Sequence, residues 1–457
     1  MRIVISLILA LGIAAPAAAQ DLGAPPPADV EIQTEEEQGL SGSVTDESDW
    51  EDIGIAIPSF VASREEATPA NASGTGALAT EVSRVVYNDL RNNGLFRPVG
   101  PDALPKPSFA NVSEPSWGTW TNRSADMLVH GYVRPQADGR LTVGCYLYDV
   151  SLRNELARGG WTIQPNQWRR AAHKCADMVF SRLTGEDPFF DSRIAYIAET
   201  GPKDNRVKRL AIMDSDGANH RFITTGRSTA LTPKYSPDYK RILYLSYVDG
   251  NPRIYIYDIE TGRQTLVTQN DYPTLAPRWS PDGQWILYSM SVSGNTDIYR
   301  VSAQGGPSVR LTDAPGIDVG GSYSPDGSQI VFESDRSGNQ QCYIMNADGS
   351  NQRRISFSGR CATPEWSPRG DQIAFTNSST FNVSVMDPNG RNVRVLTRGW
   401  QDEAPTWAPN GRIIQFFRTE RGSGDTALYQ VDLTGRNERR LQTPVDGSDP
   451  AWGPILP

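Results

Sequence analysis

The chain has 457 residues, which is long enough for two or three domains with hydrophobic cores, and a formal net charge of −9. The charge is concentrated in residues 20–52, which hold eleven Asp or Glu and no Lys or Arg. Without those eleven acids and Arg2, 42 acidic residues stand against 43 basic ones. This near-neutral balance argues against a nucleic-acid-binding protein, which would carry a basic surface.

The first nineteen residues have the pattern of a secretory signal peptide. Arg2 is the basic region, Ile3–Ala15 is a short apolar core, and Ala17–Ala19 is a small-residue cleavage site. The apolar core is too short to span a bilayer, so we expect an exported protein without a transmembrane segment. Residues 20–52 follow as an acidic segment that is rich in Pro and Gly. This composition predicts disorder, either as a solvated tail or as a partner-binding segment.

Residues 53–187 predict a small α/β domain with helices covering a sheet. The expected strands are Ile53–Phe60, Met127–Val133, Leu141–Asp149 and Leu156–Ile163, and the expected helices are Gly76–Asn93 and Gln167–Leu183. The helices have apolar residues at intervals of three and four, and Gly94 and Gly185 are placed to end them.

Residues 188–457 contain six copies of an aromatic residue placed directly before a tight turn. The copies begin at Tyr235, Trp279, Tyr323, Trp366, Trp407 and Trp452. The spacing of 41 to 45 residues, with four short strands in each repeat, predicts a β-propeller. The last copy has an inner strand only, whereas Arg193–Glu199, Arg209–Asp214 and His220–Thr225 are three outer strands without an inner one. Together they complete a blade, so we expect a six-bladed ring closed by the C-terminal strand.

Four cysteines suit an oxidising compartment. Cys145 and Cys175 precede the propeller, and Cys342 and Cys361 lie within it. Pairing within each region is one hypothesis, and four buried thiols are the alternative.

The sequence lacks a recognisable catalytic constellation. Its three histidines, His130, His173 and His220, have no metal-ligand spacing, and no nucleophile elbow or phosphate loop occurs. We predict a protein that is not an enzyme and needs no cofactor, while loop carboxylates leave a calcium ion as an open alternative.

The candidate binding surface consists of the segments directly before the six aromatics. We expect them to be loops that connect neighbouring blades and converge at one mouth of the channel, where a rigid scaffold presents them to a partner. Solvated linkers are the alternative for any single residue. The candidate contact residues are Tyr272, Pro273, Thr274, Asp318, Val319, Arg360, Thr363, Gln401, Asp402, Glu403 and Asp449.

The combination of signal peptide, α/β domain and closed six-bladed propeller resembles the TolB family, the periplasmic component of the Tol–Pal envelope system. The likeness covers about residues 53–457. It includes IAIPSF in the first strand, DLRNNGLF at Asp89–Phe96, FSRLTG at Phe180–Gly185 and RIAYIAE at Arg193–Glu199.

This resemblance implies a monomeric, non-catalytic periplasmic protein that supports outer-membrane integrity and constriction during cell division. In the family, the propeller face holds the lipoprotein Pal, and an N-terminal segment docks on TolA by adding a strand to a sheet. Here the acidic residues 20–52 intervene, so the strand is expected either at Gln20–Leu22 or at Leu40–Thr45, with Leu40, Ser41, Gly42, Ser43 and Val44 as contacts. Tyr272–Ala276 matches a Pal-contact loop of the family by position but not by residue type.

Two other functions fit an exported propeller. One is an accessory of an exported peptidase, or a hydrolase whose propeller gates an active site, although only five residues follow the last repeat aromatic. The other is a binder of a peptide, glycan or small molecule.

Overall fold

The structure, a computed structural model, describes residues 53–457 except residues 122, 124, 249, 269 and 270. The predicted signal peptide, the acidic segment and both candidate TolA-binding strands lie outside these described residues. The described chain forms an α/β domain followed by a six-bladed β-propeller, which confirms the predicted fold class.

The N-terminal domain is a sheet covered mainly on one face by two long helices. Its sheet order is β3-β1-β4-β5-β6, with β1 parallel to both of its neighbours and β4, β5 and β6 antiparallel, while β2 pairs with β4. The elements are β1 (Ile53–Ala56), β2 (Val61–Ala62), α1 (Thr75–Asn92), β3 (Phe96–Val99), α2 (Trp117–Trp120), β4 (Met127–Pro135), β5 (Leu141–Asp149), β6 (Asn154–Ile163) and α3 (Trp168–Thr184).

One predicted strand of this domain was too long, and one observed strand was not predicted. The first strand stops at Ala56 instead of Phe60, because Pro58 has no N–H to continue the ladder. Strand β3 was missed, since it is only four residues long and its Arg97-Pro98 pair interrupts the apolar pattern. The helices match their predicted apolar faces, and α3 ends at Gly185 with a left-handed φ of 71°.

The propeller begins with three strands of the closing blade, followed by five complete blades. The first three strands are β7 (Ser192–Thr200), β8 (Val207–Asp214) and β9 (Arg221–Phe222). Blade 1 contains β10 (Ala230–Tyr235), β11 (Arg241–Ser246), β12 (Arg253–Asp258) and β13 (Gln264–Leu266). Blade 2 contains β14 (Thr274–Trp279), β15 (Trp285–Val292), β16 (Asn295–Ser302) and β17 (Val309–Arg310).

The remaining blades repeat this antiparallel order of four strands. Blade 3 contains β18 (Asp318–Tyr323), β19 (Gln329–Ser334), β20 (Gln341–Asn346) and β21 (Arg353–Arg354). Blade 4 contains β22 (Ala362–Trp366), β23 (Ile373–Asn377), β24 (Asn382–Met386) and β25 (Arg394–Val395). Blade 5 contains β26 (Asp402–Trp407), β27 (Ile413–Thr419), β28 (Thr426–Asp432) and β29 (Arg439–Arg440), and the last strand is β30 (Asp446–Ile455).

The C-terminal strand closes the ring as the sequence predicts. Strand β30 pairs with β7, so blade 6 has the order β30-β7-β8-β9. The indole Nε1 of Trp452 donates to Ser192 Oγ at 2.8 Å, and the Trp452 ring packs edge-on against Phe189. Closure therefore joins the chain's end to the segment that leaves the N-terminal domain.

Two disulfides lie within the two domains. Cys145 on β5 bonds to Cys175 on α3, and Cys342 on β20 bonds to Cys361, directly before β22. The first ties a helix to its sheet, and the second ties blade 3 to blade 4.

Candidate partner-binding face

The two ends of the propeller differ in what covers them. The tight turns that follow the repeat aromatics are called SPDG-type turns here, after Ser280–Gly283 in blade 2. We call the end with these turns the turn end, and the end with the connections between blades the open end. The N-terminal domain lies against the turn end: Glu186 forms ion pairs with Arg369 (2.6 Å) in blade 4 and with Arg412 in blade 5. The C-terminus joins this contact, since Arg170 on α3 donates to the carbonyl of Pro457 at 2.8 Å.

The SPDG-type turns at the turn end are architectural. In blade 2, the amide of Trp285 donates to Ser280 Oγ at 2.9 Å, and the amide of Gln284 donates to Asp282 Oδ1 at 3.0 Å. Gly283 closes the turn with φ of 68°, a conformation that favours glycine. The Asp282 carboxylate therefore stabilises the turn.

The six segments before the repeat aromatics are not loops, which corrects the sequence-based prediction. They form the beginnings of the inner strands, and the pairing register of each shifts at a bulge. One residue of each bulge has positive φ, namely Thr232, Ala276, Gly320, Thr363, Ala404 and Asp449. The prediction failed because strained, bulged strands lack the period of two by which regular strands are recognised.

The channel is bridged by an ion network. Glu365 of blade 4 contacts Lys234 of blade 1 at 2.7 Å and Arg278 of blade 2 at 3.1 Å. Thr406 of blade 5 donates to the same carboxylate at 2.8 Å. Blades 1 and 4 are opposite each other in a ring of six, so the Lys234–Glu365 pair crosses the axis. Burial lowers the pKa of Arg278, although Glu365 and then Asp449 act to raise it.

The structure divides the predicted contact residues into three groups by exposure. Tyr272, Pro273, Arg360 and Thr363 are exposed, whereas Val319, Gln401, Glu403 and Asp449 are half-buried and Thr274, Asp318 and Asp402 are buried. The buried side chains of Thr274, Asp318 and Asp402 could contact a partner only if the inner strands rearranged.

The buried carboxylates of Asp318 and Asp402 hold the inner strands instead. Asp318 pairs with Arg336 at 2.5 Å, and Asp402 pairs with Arg418 at 2.5 Å. Each arginine comes from the neighbouring strand or the loop after it, so the pair fixes the start of the bulged strand. Both aspartates were predicted to lie on loops and to face solvent, which is wrong.

Two predicted acids share a carboxylate-rich environment next to the channel. Burial raises the pKa of Asp449. The backbone amide of Thr232 donates to Asp449 Oδ2 at 3.2 Å, and this hydrogen bond opposes the rise without cancelling it. Burial also raises the pKa of Glu403, and the negative charges of Asp449 and Asp402 add to the effect.

Exposed apolar residues at the open end were missed by the sequence analysis. Phe357 is 73% exposed and Trp400 is 50% exposed, and both lie in connections between blades. Tyr247, Val248 and Ile317 are further exposed apolar residues at the same end. The predicted contact residues Arg360 and Gln401 lie shortly after Phe357 and Trp400 in the chain. An aromatic residue standing alone in a polar connection was the available signal.

One cluster at the turn end has a possible metal-ligand set. Ligand atoms of His173, Asp214 and Asp216 lie within 4.8 Å of one another, and His173 Nδ1 is hydrogen-bonded to buried Asp89 at 2.7 Å. Arg169, however, forms ion pairs with both Asp216 and Asp214. Since a guanidinium already balances the two carboxylates, the cluster is best described as an ion network that joins α3 to blade 6.

Residues 180–456 match the protein-family model described as the TolB beta propeller domain, and residues 44–156 match the TolB amino-terminal domain. The two matched ranges correspond to the two folded regions, and the second begins inside the part of the chain that the structure does not describe.

Relatives match over nearly the whole chain. The Tol-Pal system protein TolB 1 of Novosphingobium aromaticivorans is 64% identical over 98% of this chain and 98% of its own length. The Tol-Pal system protein TolB of Sphingopyxis alaskensis is 59% identical over 99% of each chain. The crystal structure of TolB from Acinetobacter baumannii is 27% identical, with a TM-score of 0.77 over 93% of this chain and 99% of that one.

Proposed function

Because this chain belongs to the TolB family of Tol–Pal system proteins, we propose that it is a periplasmic binding protein without catalytic activity. It holds the lipoprotein Pal on the open end of its propeller and TolA through its N-terminal segment. By linking the two, it supports outer-membrane integrity and constriction during cell division.

The difference between the two propeller ends is the observation that supports placing the Pal-binding site at the open end. The turn end is engaged by the N-terminal domain and the C-terminus through Glu186 and Arg170. The open end carries exposed aromatic residues, which are the residue types that dominate protein interfaces. The ion network around Glu365 spans the channel, so a partner would rest on this end and could not thread through it.

A periplasmic location is supported by the N-terminal pattern and the cysteines. The first nineteen residues have the signal-peptide pattern, and both disulfides suit an oxidising compartment. In the described part of the chain, no helix is long and apolar enough to cross a membrane.

The Pal assignment is tested with the mature chain and the soluble domain of Pal from the same organism. Calorimetric titration should give saturable binding at one site. Hydrogen exchange should then show protection of the blade connections at the open end, including residues 355–361 and 397–401, and no new protection of the SPDG-type turns. Absence of binding, or protection of the turn end alone, would refute the assignment.

The TolA assignment is tested by truncation. Removing residues 20–45 should abolish binding of the TolA C-terminal domain and leave the folded domains intact by circular dichroism. If the two sites are coupled, thermodynamic reciprocity requires that the same truncation alters the affinity for Pal. Unchanged TolA binding by the truncated chain would contradict the N-terminal assignment.

A further inference from the structure

Exposed charge is distributed unevenly around the open end. Among the described residues of the connections between blades, Asp271 and Asp313 are the exposed charges that lead into blades 2 and 3. Arg360 and Arg398 are the exposed charges that lead into blades 4 and 5. The face is therefore acidic at the entries to blades 2 and 3 and basic at the entries to blades 4 and 5, with Arg227 as a further exposed positive charge at the entry to blade 1.

The exposed aromatics of the basic side lie next to arginines. The guanidinium of Arg354 lies 5.2 Å from the centroid of the Phe357 ring. The guanidinium of Arg421, in the loop between β27 and β28, lies 5.0 Å from the Trp400 ring. Such contacts orient the rings while leaving Phe357 73% and Trp400 50% exposed. Aromatic and arginine side chains together are the composition of interface hot spots.

The two aromatic segments belong to one continuous surface. The loop after β23 lies between them, because the Phe381 carbonyl accepts a hydrogen bond from the Asp402 amide at 2.9 Å. On the other side of this loop, Asn377 at the end of β23 lies next to Gly359. We define the basic patch as Phe357, Arg360, Arg398, Trp400 and Arg421.

The acids beside this surface, Glu420 and Asp402, are already engaged, and Asp402 is buried against Arg418. Glu420 accepts a hydrogen bond from the Tyr429 hydroxyl at 3.1 Å and is half-buried. The three arginines of the basic patch are all exposed. A partner that covers the patch must supply carboxylates to these guanidinium groups, since burying unpaired charges is unfavourable.

We infer that the basic patch is the energetic centre of the open-end interface, and that it accepts an acidic protein surface carrying apolar side chains. This inference rests on the proposed function, in which the occupant is the soluble domain of Pal. The acidic side of the channel mouth, around Asp271 and Asp313, then fixes the orientation of the partner by excluding its acidic surface.

The first test removes the exposed aromatic rings of the basic patch and compares them with Phe222, an exposed phenylalanine elsewhere that also contacts an arginine. Phe357→Ala and Trp400→Ala should each weaken Pal binding by about 30-fold or more. The matched control is Phe222→Ala on the outer strand of blade 6, where Phe222 is 40% exposed and Arg209 lies 3.6 Å from the ring centroid. This control should bind within about twofold of the wild type, and thermal unfolding should verify that all three variants are folded.

The second test concerns charge. Arg360→Glu and Arg398→Glu should slow association by about tenfold at low ionic strength, and the difference should shrink as salt is raised. Arg391→Glu, at an exposed turn at the other end of blade 4, is the control and should leave the association rate unchanged.

The outcomes separate this inference from the proposed function. If the wild-type chain does not bind Pal, the proposed function fails. If the wild type binds but tolerates Phe357→Ala, Trp400→Ala and both charge reversals, the basic patch is not the centre of the interface. Loss of binding in Asp271→Lys and Asp313→Lys, with the basic-patch variants unaffected, would likewise overturn the inference and place the centre on the acidic side.

Discussion

The two ends of the propeller are built from the same repeats but differ in packing. At the turn end, apolar and charged groups of the N-terminal domain meet blades 4, 5 and 6, and residues such as Trp452 and His173 are buried there. At the open end, residues of the same types, such as Trp400, remain exposed. The difference shows that a side chain's role here depends on which end it occupies and not on its type.

The largest expected effect is at the closure of the ring. Trp452→Ala should destabilise the chain by about 3–5 kcal/mol, because it removes a buried ring, its contact with Phe189 and its hydrogen bond to Ser192. Urea unfolding followed by circular dichroism measures the shift in midpoint. A change of less than ~1 kcal/mol would show that the turn end does not depend on this closure.

The disulfide between blades 3 and 4 should have the next largest effect. Replacing both Cys342 and Cys361 by Ser opens a loop with a sequence separation of 19 residues. A bond that closes a loop of this size is worth about 2–4 kcal/mol, mainly through the unfolded chain. Chemical unfolding measures the loss, and hydrogen exchange should quicken in residues 355–361. Equal stability of the double variant would mean that the bond does not restrain the open end.

The turn end should also respond to pH through His173. Burial lowers the pKa of His173, but the charge and hydrogen bond of Asp89 outweigh it and raise the pKa to about 9. Because the pKa of His173 is higher in the folded than in the unfolded chain, the protonated imidazolium stabilises the folded state. This contribution is fully present below about pH 6.5 and is lost as the pH rises through about 9. The expected loss of stability is on the order of 3 kcal/mol.

His173→Gln is the control for this pH dependence. Its midpoint of urea unfolding should be less sensitive to pH between about 6.5 and 9 than that of the wild type. Parallel curves for the two proteins would exclude His173 as the titrating group. The open-end variant Trp400→Ala should retain the wild-type pH dependence.

The smallest effect is expected from a tryptophan at the open end. Trp400→Ala should change the free energy of unfolding by less than about 0.5 kcal/mol, because the side chain is half exposed and contacts solvent. Urea unfolding of Trp400→Ala and Trp452→Ala compares the same substitution at the open end and at the turn end. If the two variants lost equal stability, the distinction between a packed end and an open end would fail.

Much of the fold was predictable because its signals are local. A few neighbouring residues are enough to recognise a turn after a repeat aromatic or an apolar helix face in α1 and α3. The same is true of Gly185, which ends α3. Strands with a regular pattern, such as Leu141–Asp149, had their predicted bounds. The short β3 and the bulged starts of the inner strands were not recognised, because neither has a clear apolar period.

The candidate site was less predictable because exposure is a property of the folded chain. Asp318 and Asp402 were expected at the surface, yet each is buried with an arginine 16 or 18 residues away. Phe357 and Trp400 were missed, since an aromatic residue in a short segment is ordinarily interpreted as part of the core. Only the neighbouring blades decide which of these side chains reaches solvent.

The sequence by itself determined the number of blades and the closure of the ring. Copies spaced 41 to 45 residues apart define one blade each, and the incomplete first and last copies complement each other. The tertiary structure alone decided which end stays open, how Lys234 meets Glu365 across the axis at a separation of 131 residues, and which charges face outward. The physical reason is that strand pairing depends on local pattern, whereas burial and ion pairing depend on residues that only folding brings together.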